Sequence, residues 1–388
     1  MIYRKFGKTG LSMPVLSCGL MRSMFSWQDT PLAQIPIGQQ ERLAAVVDAA
    51  ISCGINHFET ARGYGSSERQ LAEIFTRYKR SSLIVQTKVS PEDDPARFVA
   101  NVEDSLNRLG LKRVDLLTLH GINDHHSLWQ SCRPGGCLAA ARELQKKGKA
   151  GWIGFSGHGE LQVILAAINH RQDRGFDYLN LHWYAVWQHN RPALEAAAEH
   201  DMGVFIISPT DKGGMLQAPS RKISALCKPL LPIQFNDLFC LQKNEIHTIS
   251  IGASCPQDFL AHLEALSLLE NSKPVDTVYN KWTCAMHKAT GFSRPDALWD
   301  RLPRWQETPG YINIPLILWL YNLAQGWELV EYGKLRYQKL GKNMPWVPGN
   351  DADCIEKYDL ADIANKAEIS QDVLKEMLGK AHSLFGTS

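Results

Sequence analysis

The chain has 388 residues, which exceeds a typical single domain and suits one large unit with an appendage. Its 42 basic and 40 acidic side chains give a net charge of only +2, so the bulk charge does not favour nucleic-acid binding. The nine cysteines are odd in number and form no C-x-x-C pair, which favours reduced thiols in a reducing compartment over a disulfide framework or a zinc site.

Neither the amino-terminal stretch nor the longest apolar run indicates a membrane protein. The amino-terminal stretch MIYRKFGKTG has no apolar signal-peptide core. The longest apolar run, IPLILWLYNLA at 314–324, is far shorter than the roughly 20 residues that span a bilayer. The sequence therefore predicts a soluble cytoplasmic protein.

The chain begins with MIYRKFGKTGLS, which is predicted to form a short hairpin that caps the floor of a barrel. Eight β-branched runs follow and alternate with segments of helical period, which is the pattern of βα units around a parallel sheet. Eight such strands close a (β/α)8 TIM barrel. The runs lie at 14–19, 55–60, 83–89, 114–121, 151–156, 177–183, 203–208 and 247–253.

The βα rhythm stops near residue 270. The interval 209–246 is longer than a standard loop and helix, which predicts an extra excursion near a binding face. Residues 271–388 contain helix-like stretches such as QDVLKEMLGKAH and are predicted to form a mostly helical extension. Its aromatic residues are expected in the core of that extension: Trp319, Trp327, Tyr332 and Tyr337.

Titratable residues stand at the carboxyl ends of three neighbouring runs, where a TIM barrel carries its reactive groups. Glu59 ends the second run, Lys88 the third and His120 the fourth, and Tyr64 follows in the loop after Glu59. Each residue alone is typical of a solvated rim or of packing. Together they sit on otherwise apolar strands, where each is costly unless it is paired.

Physically, this set can donate a proton to a carbonyl oxygen. The ordinary pKa of tyrosine, about 10, is too high for easy proton transfer near neutrality, and a neighbouring ammonium lowers it. We therefore expect Lys88 to lower the pKa of Tyr64, Glu59 to pair with Lys88, and His120 to hydrogen-bond the carbonyl oxygen.

The stretches GINHFETARGYGSSE, LIVQTKV, RVDLLTLHG and GFSGHG together resemble the aldo-keto reductases over about residues 1–270. The resemblance implies a (β/α)8 barrel and a catalytic set made of Tyr64, Lys88, His120 and Glu59. Glu59 stands where the family usually has aspartate, so the pairing with Lys88 is expected to persist with an altered reach.

No metal-ligand cluster is visible in the sequence, and no G-x-G-x-x-G follows a strand. The resemblance implies a nicotinamide dinucleotide that lies extended across the top of the barrel. NADPH is expected, with NADH as the alternative. Ser156 and Asn180 resemble the positions that bind the nicotinamide amide, with Gly157 where asparagine is usual. SPTDKGGML at 208–216 resembles the loop over the pyrophosphate, with Ser208, Lys212 and Gly213 as contacts, although an ordinary turn is the alternative.

IGASCPQDFLAH at 251–262 resembles the adenosine-phosphate segment, and it supplies Gly252, Ser254 and Asp258 at the start of the last barrel helix. A helix N-terminus attracts phosphate. Ser254 and Asp258 stand where members that use NADP commonly carry basic residues, and the lost positive charge weakens a 2′-phosphate site.

Stretches 308–337 and 351–382 resemble the carboxyl-terminal part of those aldo-keto reductases that append a ferredoxin-like iron–sulfur module. Such clusters need about four cysteine thiolates each, and these stretches retain only Cys354. The extension is therefore predicted to keep a helical scaffold without a cluster.

These features support two functions. The first is an NAD(P)H-dependent oxidoreductase that reduces a small aldehyde or ketone with a proton from Tyr64. The second is a catalytically weak nicotinamide-binding sensor or interaction protein on the same scaffold, which the substitutions at Glu59 and Gly157 favour. The retained Tyr64, Lys88 and His120 favour the enzyme.

Overall fold

The computed structural model describes residues 1–342, 344 and 347–386. Eight parallel strands close into a barrel, in which the last strand pairs with the first and every other strand pairs with its neighbour along the chain. This confirms the predicted (β/α)8 TIM barrel. The strands are β3 (Leu16–Gly19), β4 (His57–Glu59), β5 (Ile84–Val89), β6 (Val114–Leu119), β7 (Ala150–Ser156), β8 (Tyr178–Leu181), β9 (Gly203–Ile206) and β10 (Thr248–Ile251).

The predicted hairpin forms ahead of the barrel from two antiparallel strands, β1 (Tyr3–Lys5) and β2 (Ser12–Pro14). Phe6 and Met13 are fully buried and pack in one cluster with residues of the barrel strands, among them Leu116, Tyr178 and Phe205. Aromatic and aliphatic side chains in such a cluster remove large apolar areas from water. The hairpin therefore closes one end of the barrel with an apolar layer.

The segments after the barrel strands form helices, because apolar residues recur in them every three or four positions and so lie on one helix face. In the helix Pro95–Arg108, the side chains of Phe98, Val102 and Leu106 are buried, and Asp94 caps the first turn by accepting a hydrogen bond from the Ala96 amide. The helices up to the last barrel strand are α1 (Ile37–Ser52), α2 (Ser67–Phe75), α3 (Pro95–Arg108), α4 (His125–Cys132), α5 (Cys137–Lys146), α6 (Leu161–Asn169), α7 (Arg191–Glu199), α8 (Arg221–Cys227) and α9 (Pro232–Leu241).

The remaining helices confirm the helical carboxyl-terminal region. After α10 (Leu260–Ala265), which follows the last barrel strand, they are α11 (Lys273–Thr290), α12 (Ile314–Trp327), α13 (Val330–Tyr337), α14 (Ala361–Ala367) and α15 (Gln371–Phe385). The expected core residues Trp319, Trp327, Tyr332 and Tyr337 are all buried. In the part of the chain that the structure describes, no helix is both long and apolar enough to cross a bilayer.

The chain divides into two compact units. The first unit contains Met1–Trp183, Asn190–Thr210 and Asn236–Glu270, and the second contains Tyr184–His189, Asp211–Phe235 and Asn271–Ser388. Two segments from before residue 270 thus group with the carboxyl-terminal helices. A single boundary at 270 stays a prediction, and Asn343, Pro345, Trp346, Thr387 and Ser388 of the predicted extension lie outside the described residues.

Candidate active site

A hydrogen-bonded chain of polar side chains crosses the interior of the barrel. Gln86 Nε2 donates to Thr118 Oγ1 at 2.8 Å and to Asn180 Oδ1 at 3.1 Å. Because β5 and β8 are not neighbours, the bond to Asn180 runs through the barrel interior. Gln86 Oε1 lies 3.0 Å from His57 Nε2, and Ser17 Oγ lies 2.7 Å from His57 Nδ1. An amide oxygen only accepts, so Nε2 carries the ring proton of His57.

Side chains two residues further along these strands lie at the carboxyl ends, because alternate residues of a strand share one face. Glu59 follows His57, Lys88 follows Gln86, and His120 follows Thr118 by this spacing. The barrel thus stacks an apolar floor, a polar middle and a titratable rim. Sequence reasoning missed the polar middle, although Gln86 inside the apolar run LIVQTKV carried the signal.

The Lys88 ammonium contacts the Glu59 carboxylate, and both side chains are almost completely buried, at 1% and 5% exposure. Lys88 Nζ also donates to the Thr60 carbonyl oxygen at 3.2 Å. Burial lowers the pKa of Lys88 well below its ordinary value. The carboxylate acts in the opposite direction, because a nearby negative charge favours the ammonium form.

Gly19, at the end of β3, leaves room for the longer Glu59 side chain. A Cβ atom at Gly19 would lie 3.3 Å from Glu59 Oε2 and only 2.3 Å from Ser250 Oγ. A real Cβ atom does not approach an oxygen so closely, so the strand end requires glycine here. The lack of a side chain at Gly19 therefore leaves space beside the Glu59 carboxylate.

Tyr64 lies in the loop between β4 and α2, which is held by contacts with the loop after β3. The amide of Ser66 donates to the Ser26 carbonyl at 3.0 Å, and the Ser26 amide donates to Ser66 Oγ at 3.0 Å. Gly65 has φ of +46°, and a Cβ atom there would lie 2.1 Å from the Ser26 carbonyl oxygen. Only glycine fits this close backbone approach, which fixes the loop that carries Tyr64.

The structure brings all four predicted residues together. Lys88 Nζ lies 4.5 Å from the centroid of the Tyr64 ring. The rings of Tyr64 and His120 are 5.9 Å apart and nearly perpendicular, at 87°. With Glu59 against Lys88, the four groups form one cluster, while their catalytic roles stay predictions.

The expected pKa of Tyr64 is wrong in direction. Burial raises the pKa of Tyr64 above its ordinary value, because loss of hydration disfavours the phenolate. Burial and the Lys88 charge lower the pKa of His120 to about 3. The site therefore presents a protonated phenol and a neutral imidazole near neutral pH.

An exposed tryptophan and a cleft adjoin Tyr64. The Trp27 side chain is 66% exposed, and its ring lies 6.3 Å from that of Tyr64, centroid to centroid. The cleft has a volume of about 370 Å³, and Trp27, Arg62, Gly63 and Gly65 are among its lining residues. Both glycines flank Tyr64 in the chain, so the cleft opens beside the candidate proton donor.

Asn180 and Ser156, which resemble amide-binding positions, are both fully buried on neighbouring strands. Ser156 Oγ accepts from the Gly121 amide at 2.9 Å. Asn180 Oδ1 is fixed by Gln86, and Asn180 Nδ2 has no hydrogen-bond partner among the described residues. A buried amide donor without a partner is costly, so Asn180 has the chemistry to bind a carbonyl oxygen of a ligand.

The predicted pyrophosphate contacts fall in different units. Ser208 belongs to the first unit and has a positive φ of 54°, which is uncommon for serine. Lys212 and Gly213 belong to the second unit. Burial, together with the charges of Arg336 and Lys339, lowers the pKa of Lys212 to about 7. Lys212 is therefore a partly buried cation in a cationic environment.

The predicted adenosine-phosphate segment differs from expectation. Asp258 Oδ2 accepts from the Ser254 amide at 2.7 Å and from Ser254 Oγ at 2.9 Å, so its carboxylate occupies the donors expected to face phosphate. The helix begins as a 3-10 turn at Pro256–Phe259. Gly252 accepts instead from Arg22 Nη1 at 2.9 Å through its carbonyl oxygen. Arg22 lies far away in sequence, so the alignment of this segment gave no signal of a basic residue beside it.

The comparisons with known proteins agree with this architecture. L-Glyceraldehyde 3-phosphate reductase of Escherichia coli is 29% identical over 175 residues, which cover 41% of this chain and 46% of that protein. L-Galactose dehydrogenase of Arabidopsis thaliana is 30% identical over 165 residues, which cover 40% of this chain and 48% of that protein. The chain thus spans about half the length of these curated relatives.

Solved structures share the fold. The holo form of an aldo-keto reductase from Bacillus halodurans superposes with a TM-score of 0.60 at 18% identity, over 72% of this chain and 96% of that chain. An aldo-keto reductase from Klebsiella pneumoniae in complex with NADPH superposes with a TM-score of 0.58 at 16% identity, over 72% of this chain and 95% of that chain. The sequence model of the Aldo/keto reductase family matches residues 24–278, which is more than half of the chain. With this match and an eight-stranded barrel, the chain belongs to the aldo/keto reductase family.

Proposed function

We propose that this protein is an NAD(P)H-dependent oxidoreductase that reduces an aldehyde or ketone. The observation that carries the proposal is the buried Lys88–Glu59 pair beside the Tyr64 ring. Burying two charges costs several kcal/mol unless they are paired, and this pair lies at the barrel end where TIM-barrel enzymes react. Such an arrangement suits a proton-transfer site better than a purely structural role.

Tyr64 donates the proton in this proposal. Burial holds the phenol protonated near neutral pH, which is the form that a general acid requires. The substrate oxygen becomes strongly basic as its carbonyl is reduced, so it takes the Tyr64 proton at that moment. The Lys88 ammonium then stabilises the phenolate that remains, and Glu59 holds Lys88 in place and favours its charged form.

His120 orients the substrate carbonyl. Because its pKa is lowered to about 3, the imidazole is neutral and retains one N–H donor across the physiological range. A neutral donor can hydrogen-bond a carbonyl oxygen without competing with Tyr64 for proton transfer. Its near-perpendicular contact with the Tyr64 ring holds the two groups next to each other.

The residues present fit a nicotinamide dinucleotide. Asn180 Nδ2 is a buried donor that lacks a partner among the described residues, which suits a carboxamide oxygen. We assign Asn180 and Ser156 to the nicotinamide end, Ser208, Lys212 and Gly213 to the phosphates, and Gly252, Ser254 and Asp258 to the adenosine end. When bound, the reduced dinucleotide supplies the hydride that complements the Tyr64 proton.

NADPH is the proposed cofactor, with NADH as the alternative. An NADPH complex of a structural neighbour supports the first. Asp258 weakens the case for NADPH, because its carboxylate accepts the hydrogen bonds that Ser254 donates and repels a 2′-phosphate. The Arg22 guanidinium beside Gly252 provides a compensating positive charge.

The proposed substrate is a small carbonyl compound. The exposed Trp27 ring beside Tyr64 favours an apolar or aromatic group next to the carbonyl. The named relatives act on glyceraldehyde 3-phosphate and galactose. Phosphorylated and sugar aldehydes therefore belong in the screen beside aromatic ones.

A titration of the purified protein with NADPH and with NADH, followed by a carbonyl panel, tests the proposal. We expect quenching of tryptophan fluorescence by one dinucleotide and turnover of at least one carbonyl. The alternative function, a nicotinamide-binding sensor, rests on Glu59 and on the Asp258 cap. Tight dinucleotide binding without turnover across the panel would favour that alternative.

We also propose that residues 271–388 form a degenerate ferredoxin-like module without a cluster. The described part of this region retains Cys354, whose sulfur is 3.4 Å from Lys357 Nζ, and Cys284 in α11. Two separate thiols cannot supply the roughly four ligands that a cluster takes. Iron analysis of anaerobically purified protein should find no bound iron, and about four irons per chain would overturn this assignment.

A further inference from the structure

Gln86 decides which atom of the Asn180 amide stays available to a ligand. Its Nε2 donates to Asn180 Oδ1 at 3.1 Å across the barrel, and both side chains are fully buried. An asparagine amide has an acceptor oxygen on one side and an NH2 donor on the other. Because Oδ1 accepts from Gln86, the atom without a partner among the described residues is the donor Nδ2. The orientation of the Asn180 amide therefore depends on Gln86.

The amide of Gln86 is fixed in turn by its two other bonds. Nε2 also donates to Thr118 Oγ1 at 2.8 Å, and Oε1 accepts from His57 Nε2 at 3.0 Å. A reversed Gln86 amide would place its oxygen against Asn180 Oδ1 and its NH2 group against the N–H of His57. Acceptor would then face acceptor and donor would face donor in a fully buried site, where each unmade bond is costly. Gln86 therefore keeps one orientation.

The donors of this buried chain run in one direction, from strand β10 to strand β8. The ring proton of His57 is on Nε2, so Nδ1 accepts, and the Ser17 hydroxyl donates to Nδ1 at 2.7 Å. Ser17 thereby uses its only hydroxyl proton, so the Thr248 hydroxyl is the donor in the 2.6 Å bond between them. The order of donation is Thr248, Ser17, His57, Gln86 and Asn180. Residues of five strands therefore set the polarity of a single amide.

We propose that Gln86 is a positioning residue that makes Asn180 present an N–H donor and thereby selects a ligand group with a carbonyl oxygen at this point. The inference rests on the proposed function, in which that group is the carboxamide of the nicotinamide. A carboxamide carries both an oxygen and an NH2 group, so it can pair with either end of an asparagine amide. An acetyl group carries only the oxygen, so it can pair only with Nδ2. An acetyl group therefore reports the orientation of Asn180.

Binding measurements on the full chain test this role without any turnover. The probes are NADPH or NADH and the acetylpyridine analogue of the same reduced dinucleotide. Gln86→Met keeps the length of the side chain and removes its hydrogen bonds. Thr118→Val is the matched control, because it also removes a buried bond of Gln86 but leaves the bond to Asn180 in place. The readout is the ratio of the two dissociation constants, which a smaller fraction of folded protein does not change.

We expect the wild type to bind the parent dinucleotide and its acetyl analogue with similar affinity. Gln86→Met should raise the dissociation constant of the acetyl analogue about tenfold, the scale of one lost buried hydrogen bond. It should change that of the parent dinucleotide much less, because a carboxamide can pair with either end of Asn180. Thr118→Val should leave the ratio unchanged. Gln86→Met should also leave the ratio unchanged in an Asn180→Ala background, because the amide that Gln86 positions is then absent.

A wild-type ratio in Gln86→Met, or the same change of ratio with and without Asn180, would overturn the positioning role and leave the proposed function intact. If the wild type binds neither NADPH nor NADH, the proposed cofactor is contradicted, and the side-chain amide signal of Asn180 in nuclear magnetic resonance spectra decides the inference. Its loss in Asn180→Ala identifies this signal. A shift of the signal in Gln86→Met but not in Thr118→Val would support the positioning role, and equal shifts in the two variants would overturn it.

Discussion

Lys88 lies over the face of the Tyr64 ring, with Nζ 4.5 Å from the ring centroid. At this distance the ammonium charge can stabilise a phenolate electrostatically. Glu59 contacts the same ammonium from the neighbouring strand. The buried ion pair therefore fixes the ammonium beside the ring of the proposed proton donor.

Replacing Glu59 with Gln should destabilise the protein by about 3–5 kcal/mol, because Lys88 becomes a buried charge without a counter-charge. Glu59→Asp keeps the charge and should retain most of the stability. Urea unfolding measures both. Glu195→Gln, which breaks an exposed pair with Arg191, is the matched control and should leave the midpoint unchanged. If Glu59→Gln changes the unfolding midpoint as little as the control Glu195→Gln does, Lys88 is not charged in the folded protein.

The buried His57 predicts a loss of stability in acid. Burial lowers its pKa to about 3, whereas the unfolded chain titrates near 6.5. Between these values the unfolded state binds more protons, so stability falls as the pH falls from about 6.5 to 3. At about pH 5, His57 lowers the free energy of unfolding by about 2 kcal/mol relative to its value near neutral pH.

His57→Gln should flatten this part of the stability curve, since glutamine does not titrate. Denaturant unfolding of both proteins across this range gives the comparison, and the difference between the curves removes the contribution of the carboxylates. Parallel curves for the variant and the wild type would contradict the buried neutral imidazole.

Asn180→Ala should raise the dissociation constant for the dinucleotide about tenfold, because it removes the unpartnered buried donor. Asn169→Ala, at an exposed position near His200, is the control and should have no effect. Fluorescence titration measures both variants. Wild-type affinity in Asn180→Ala would remove Asn180 from the cofactor site.

Trp319 should be critical for the second unit. Its indole N–H donates to the Val186 carbonyl at 2.9 Å, and its ring lies 4.8 Å from that of Trp187. Trp319→Ala should destabilise this unit by about 3–5 kcal/mol and expose residues 184–189 to hydrogen exchange. Trp129→Ala, at a half-exposed position in the first unit, should leave exchange in that segment unchanged. Full protection of residues 184–189 in Trp319→Ala would contradict this role.

The barrel was predictable because its strands are short apolar runs with polar residues at one end. Glu59, Lys88 and His120 could be placed together for the same reason, since parallel strands bring their carboxyl ends to one rim. The pKa of Tyr64 was not predictable, because burial depends on a loop whose path is set by Gly65 and Ser26.

Contacts between residues that are far apart in the sequence could not be predicted from the sequence either. Tyr332 bonds to Lys212 across 120 positions, and Arg22 bonds to Gly252 across 230. No local pattern links such residues. The sequence resemblance likewise aligned Asp258 with a phosphate-binding position, but the capping bonds that occupy its carboxylate became visible only in three dimensions.

A comparison of wild type with Tyr64→Phe, in reduced-dinucleotide oxidation with a carbonyl that the wild type turns over, tests the proton donor. Tyr311→Phe, which is exposed, serves as the control. We predict that Tyr64→Phe loses about 10³-fold in kcat, the scale of general acid catalysis, while its affinity for the dinucleotide stays at the wild-type value. Full activity in Tyr64→Phe would contradict the proposed proton donor and the proposed carbonyl reduction at this site.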